Sequence, residues 1–169
     1  GAPEVAFVAV TAQPASPERL FAATHQGVYE STDRGVTWTE RFRTPAGITI
    51  SSVAVEGFDP PAILVAPDQG LYGTFNGEWH WMRVFRQAGE GEARCTHVAF
   101  HPSSQHVALL GTSGGLFISS NQGREWTEVM LPPSAREVIH FAFSPDQPDR
   151  VLLATAAGVF VGSVMTGEW

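Results

Sequence analysis

Short apolar runs separated by turns rich in Pro, Asp, Ser and Gly recur along the whole chain. "VAFVAV", "RLFAAT" and "GVYES" open the series, and the more polar "TWTERF" closes its first round. Each run has the length of a strand, and no window of about 12 residues carries a helical period. The breaks between them, such as "AQPASPE", "GFDPPA", "HPSSQ" and "SPDQPD", are turn chemistry. The pattern predicts an all-β chain.

The series then repeats. "GVYES" at Gly27 is followed by "GLYGT" at Gly70, "GLFIS" at Gly115 and "GVFVG" at Gly158, at intervals of about 45 residues. Upstream, Ala9, Ala54, Ala99 and Ala142 fall in register within "FVAV", "SVAV", "HVAF" and "HFAFS". Four short strands in about 45 residues, tandemly repeated, describe the blades of a β-propeller. The repeats run approximately over 5–47, 48–95, 96–137 and 138–169, within one domain spanning 1–169. Each repeated Gly is predicted to take a positive φ at its turn. In the fourth strand of repeat one, alternation puts Trp38, Glu40 and Phe42 on one face and Thr39, Arg41 and Arg43 on the other. Repeat four stops at Trp169, where its outer strand would begin, so the last blade is incomplete. A small closed ring, or an open arc completed by another chain or by further sequence, both fit. An arc standing alone should self-associate, two copies making an eight-bladed ring.

The hairpin before the fourth strand carries a motif. Ser31, Asp33, Gly35, Thr37 and Trp38 spell S-x-D-x-G-x-T-W in "STDRGVTW". "SSNQGREW" repeats it with Ser119, Asn121, Gly123 and Trp126, Glu125 standing for the Thr. "TFNGEW" is a shortened copy with Asn76, Gly77 and Trp79, and "MTGEW" at 165–169 is a remnant. These segments resemble the Asp box, or bacterial neuraminidase repeat, and the resemblance extends over essentially the whole chain. It implies a blade-locking hairpin on the outer edge, away from the central channel. Asp33 is read as structural: its carboxylate suits turn N–H groups, and repeats two and three replace it by Asn.

Composition narrows the function. The net charge is −7, which disfavours nucleic acid. All ten basic residues are Arg. A single Cys95 allows neither an intramolecular disulfide nor a cysteine-based zinc site. No apolar run reaches the roughly 20 residues of a membrane span. The chain opens on Gly1 with no signal peptide, as a processed or excised segment would. His97, His101 and His106 crowd repeat three but lack a carboxylate at ligand spacing, so they read as solvated or turn-capping, and no metal or cofactor is expected. His25, His80 and His140 form no recognisable pair. Asp59, Asp68, Asp146 and Asp149 sit in turns, and Tyr29 and Tyr72 align with Phe117 and Phe160 as core positions.

The freer candidates lie elsewhere. The segment "WMRVFRQAGEGEAR", residues 81–94, is the longest connection between repeats and carries Trp81, Arg83, Arg86 and Arg94 beside Glu90 and Glu92. With Arg41 and Arg43, these are candidate partner-binding residues. Among Asp-box families the short repeats look most like the photosystem II stability and assembly factors. That resemblance implies a cofactor-free, extracytoplasmic module, periplasmic, lumenal or secreted, that holds protein partners without catalysis. The alternatives are a fragment of an Asp-box glycoside hydrolase, xyloglucanase-like or sialidase-like, and a glycan-binding module centred on Trp81.

Overall fold

A computed structural model describes residues 7–58, 60–86 and 93–169. Asp59, Glu90 and Glu92 fall outside these. Fifteen strands form four antiparallel sheets, each a simple up-and-down meander. Blade 1 contains β1 (Phe7–Gln13), β2 (Ser16–Thr24), β3 (Gly27–Ser31) and β4 (Thr39–Arg43). Blade 2 contains β5 (Ile50–Val55), β6 (Ile63–Pro67), β7 (Leu71–Thr74) and β8 (Met82–Phe85). Blade 3 contains β9 (Cys95–Phe100), β10 (Ala108–Thr112), β11 (Gly115–Ser119) and β12 (Thr127–Val129). Blade 4 has only three strands, β13 (Val138–Phe143), β14 (Arg150–Thr155) and β15 (Gly158–Ser163). After β15 the chain folds back in a tight turn: Ser163 N–H donates to Glu168 O at 2.8 Å, and Gly167 N–H to Ser163 O at 2.9 Å.

Alternate side chains of a strand serve opposite faces, so each blade can pack on two neighbours. We call the face toward the following blade the front and the opposite face the back. Phe21, Ala23 and Val28 on the front of blade 1 meet Val53, Val55, Ile63 and Val65 on the back of blade 2. Leu64, Ala66 and Leu71 on the front of blade 2 meet Val98, Ala108, Leu110 and Phe117. Leu109 and Leu116 meet Val138, Phe141, Val151 and Leu153 of blade 4. These three apolar layers are the core. Strands of blades 4 and 1 make no comparable contact among the described residues.

Polar ties cross the layers between blades 2 and 3 and between blades 3 and 4. Ser51 Oγ donates to Cys95 O at 2.9 Å, and Thr96 Oγ1 to Val138 O at 3.0 Å. The buried Glu56 carboxylate accepts from Gln122 Nε2 at 2.7 Å and from the His106 N–H at 3.2 Å. His101 Nε2 approaches Asp149 Oδ1 at 3.3 Å.

Three sequence expectations change. Gly70, Gly115 and Gly158 have positive φ, but Gly27 does not. Gly27 is required by close approach instead: a Cβ there would lie 2.8 Å from Phe42 O. In β4 the alternation breaks, because the pairing shifts between Val28–Phe42 and Tyr29–Glu40. This bulge keeps Glu40 and Arg43 on the back with Tyr29, whose hydroxyl donates to Glu40 at 3.2 Å. Arg41 and Phe42 both turn to the front. Lastly, His97 and His140 do form a pair, stacked across blades 3 and 4 with centroids 3.9 Å apart.

Candidate functional site

The box hairpins are built from two successive left-handed residues, Arg34 and Gly35 in blade 1 and Gln122 and Gly123 in blade 3. Ser31 Oγ donates to Asp33 Oδ1 at 2.8 Å and accepts the Gly35 N–H at 2.8 Å. Thr37 gives Asp33 its N–H at 2.8 Å and its hydroxyl at 2.6 Å. These bonds, the Thr37 hydroxyl first, hold the Asp33 carboxyl down to about 2. Trp38 closes the loop by donating to Gly35 O at 3.0 Å. Every oxygen of Asp33 is therefore occupied in holding its own turn.

In blade 3 the same net is drawn with inverted polarity. Asn121 Oδ1 accepts from Ser119 Oγ at 2.9 Å and from the Glu125 N–H at 2.9 Å. Its amide then donates to Glu125 Oε2 at 2.9 Å, where Asp33 accepts from Thr37. Asn121 and Glu125 are thus complementary, an amide donor facing a carboxylate acceptor where blade 1 has the reverse. Gly123 accepts Trp126 Nε1 at 2.9 Å on its carbonyl. In blade 2, Asn76 and Gly77 supply the left-handed pair, and Thr74 Oγ1 donates to Glu78 O.

The candidate partner-binding residues do not form one patch. Arg41 pairs with buried Glu30 at 2.8 Å and lies over the Trp79 ring, 4.5 Å from its centroid. Arg19 completes that cluster at 2.5 Å from Glu30. Trp81 is half-buried, packs on Phe42 at 4.8 Å and donates its indole N–H to Arg41 O at 2.7 Å. It spans blades 1 and 2 rather than forming a bare aromatic shelf. Arg43 is held by Glu40, Arg83 Nη2 donates to Gln69 O at 3.4 Å, and Arg86 is exposed beside residues 87–92.

Arg94 lies apart, at a cleft of about 350 Å³ where blades 2, 3 and 4 converge. The cleft is lined by Ser51, Asp68, Thr96, Ser113 and Glu137 among others. Arg94 Nη2 reaches Asp68 Oδ1 at 3.5 Å, and its N–H donates to Ser113 Oγ at 3.0 Å. Cys95 is buried beneath, and burial pushes its thiol up to about 12. Among the described residues no group of three His, Cys, Asp or Glu is placed to hold a metal ion.

The least expected surface is the front of blade 4. Leu152, Val159 and Val161 are exposed there, with Ile139 at the inner end. No single position in "RVLLATAAGVFVGS" marks them, because interior blades carry the same apolar pattern.

No family model matches the sequence, and no curated protein matches it. Solved structures do. A GH74 enzyme of Niastella koreensis superimposes with a TM-score of 0.76 at 19% identity, covering 96% of this chain and 29% of that one. YCF48 of Cyanidioschyzon merolae gives 0.69 at 14%, covering 96% and 54%. YCF48 bound to D1 peptide gives 0.60 at 11%, covering 96% and 64%. The chain has the β-propeller fold. It spans under a third of the GH74 enzyme and about half of the YCF48 of Cyanidioschyzon merolae. No helix is long and apolar enough to cross a membrane, among the described residues.

Proposed function

We propose that this chain is a non-enzymatic protein-binding and scaffolding module of the assembly-factor kind, acting outside the cytoplasm. The observation that carries this reading is the exposed front of blade 4, a contiguous apolar sheet face of the type that mediates protein contact. The box hairpins are read as Asp boxes that stiffen the blades and leave recognition to other surfaces. The D1 peptide complex of YCF48 supports the reading, since a propeller of related architecture there holds a polypeptide.

One observation favours a second reading, a hydrolase fragment. Asp68 and Glu137 share the Arg94 cleft, and GH74 enzymes are among the similar folds. Asp68 is already committed to Arg94 and to the Thr49 hydroxyl, which suits structure better than proton transfer. The test sets the two side by side. A tagged chain and its Leu152→Arg/Val159→Arg variant are used to capture proteins from native extract, and the chain is assayed on xyloglucan oligosaccharides and sialosides. A protein retained by the parent chain and lost by the variant supports scaffolding. Turnover abolished by Glu137→Gln, without such a protein, overturns it.

A further inference from the structure

Equivalent positions of the inner strands line up across the blades. Ser52 on β5, His97 on β9 and His140 on β13 each stand two residues before the in-register alanine. The structure sets them in a row. Ser52 Oγ lies 3.2 Å from His97 Nδ1, and the His97 ring stacks on His140 with centroids 3.9 Å apart. Phe141 of blade 4 meets the His97 ring edge-on at 4.8 Å. Blade 4 therefore gives His97 an aromatic cover, and blade 2 gives it a hydroxyl. Beside them, Thr96 Oγ1 donates to Val138 O across the same seam at 3.0 Å.

The two sides of His97 respond differently to a proton. An imidazolium carries N–H on both nitrogens. On the blade 2 side, Ser52 Oγ can accept that hydrogen. On the blade 4 side, the cation would be held from water against Phe141 and a second basic ring, and two imidazolium rings so close repel. Burial first, then His140, accordingly lowers His97 to about 4. Arg94, Asp68 and Glu137 line the adjoining cleft, and the charge that acts on His97 is that of His140. Past the other end of β9, buried His101 faces the largely exposed Asp149 through Nε2. Its Nδ1 accepts the Ser103 and Ser104 N–H groups at 3.2 and 2.9 Å, bonds that an added proton would break. The seam between blades 2 and 3 behaves in the opposite way. There the buried Glu56 carboxylate lies 3.1 Å from His106 Nδ1, so a proton on His106 strengthens the tie.

We propose that the His97–His140 stack is an acid-released joint: protonation parts blade 4 from blade 3 and leaves blades 2 and 3 together. The Arg94 cleft is built across this joint, with Ser51, Asp68, Arg94 and Thr96 on one side and Glu137 and Val138 on the other. Acid therefore separates the walls of the cleft. The joint is made of contacts between blades 3 and 4 themselves, whatever further chain adjoins them. It is independent of the scaffolding reading.

The test places a thiol in each seam. Cys95 is already buried between blades 2 and 3, and Val151 is buried between blades 3 and 4. Val151→Cys is nearly isosteric and supplies the second reporter. The folded chain is labelled with dithiodipyridine at pH 7, 6 and 5, and each site is followed by peptide mass. Each rate is divided by the rate at that site in the urea-unfolded chain at the same pH. With His97 at 6.5 when released and about 4 when stacked, the joint should open about twentyfold more often at pH 5 than at pH 7, and labelling at position 151 should rise by that factor. Cys95 should keep its pH 7 rate. His97→Gln should abolish the rise at 151, and His106→Gln should leave it intact. Three results overturn the proposal: equal acceleration at both thiols, which is global unfolding; no acceleration at 151; or an undiminished rise in a His97→Gln chain with native circular dichroism. The comparison of the two thiols needs no histidine variant, so it decides the matter even where His97→Gln fails to fold.

Discussion

Alanine at Gly35 and alanine at Gly123 fall at the same place in two box hairpins but meet different surroundings. Both glycines are left-handed, with φ of +90° and +88°. A side chain at either therefore costs about 1–3 kcal/mol in backbone strain. At Gly35 the new Cβ would sit 3.6 Å from the Trp38 ring and 3.7 Å from Leu20, which is ordinary contact. At Gly123 it would sit 2.8 Å from both Leu64 methyls. Leu64 is 0% exposed in the layer between blades 2 and 3 and has little room to step aside. Overpacking there adds about 1–3 kcal/mol. Gly35→Ala should thus cost about 1–3 kcal/mol and Gly123→Ala about 2–6 kcal/mol. Urea unfolding followed by tryptophan fluorescence reads both. Combining Gly123→Ala with Leu64→Ala should return part of the excess as a favourable coupling of about 1–3 kcal/mol. Equal losses at the two glycines, or no coupling to Leu64, would refute the claim that the blade 3 box is wedged against blade 2.

Other perturbations address separate links. Glu30→Gln removes a buried carboxylate held by Arg19 and Arg41, and should cost about 3–5 kcal/mol in the same unfolding assay, far more than loss of the exposed Glu40–Arg43 pair. Burial, with the neighbouring His140, lowers His97 from 6.5 to about 4. The unfolded chain then binds more protons between those values, so stability is full above pH 6.5 and falls by up to about 3 kcal/mol as pH drops toward 4. His97→Gln should flatten that window. Cys95, with its thiol at about 12, should resist iodoacetamide at pH 8 in the folded chain and react after denaturation.

The blades were legible because their information is local: apolar runs, turn residues and a Gly at fixed intervals. The box hairpins were legible for the same reason, since Ser31, Asp33 and Thr37 bond within seven residues of sequence. What stayed hidden lies between blades. The His97–His140 stack joins residues one repeat apart, and neither strand pattern marks it. Trp81 read as a free aromatic because its partner, the carbonyl of Arg41, is a backbone atom on another blade. The bulge at Arg41 reversed a face assignment because one extra residue shifts the period of two. Glu125 stood in the sequence only as a replacement for the Thr, and its bond from the Asn121 amide shows how that replacement serves the hairpin.

The most direct measurement uses a cysteine as a reporter on the face itself. Val159→Cys places a thiol at a site 71% exposed in the single chain, while Cys95 is buried. Maleimide labelling is followed at rising chain concentration and in native extract. If the front of blade 4 is a docking surface, labelling is fast when dilute and slows at least about tenfold on assembly. A labelling rate that stays unchanged under every condition would contradict the account.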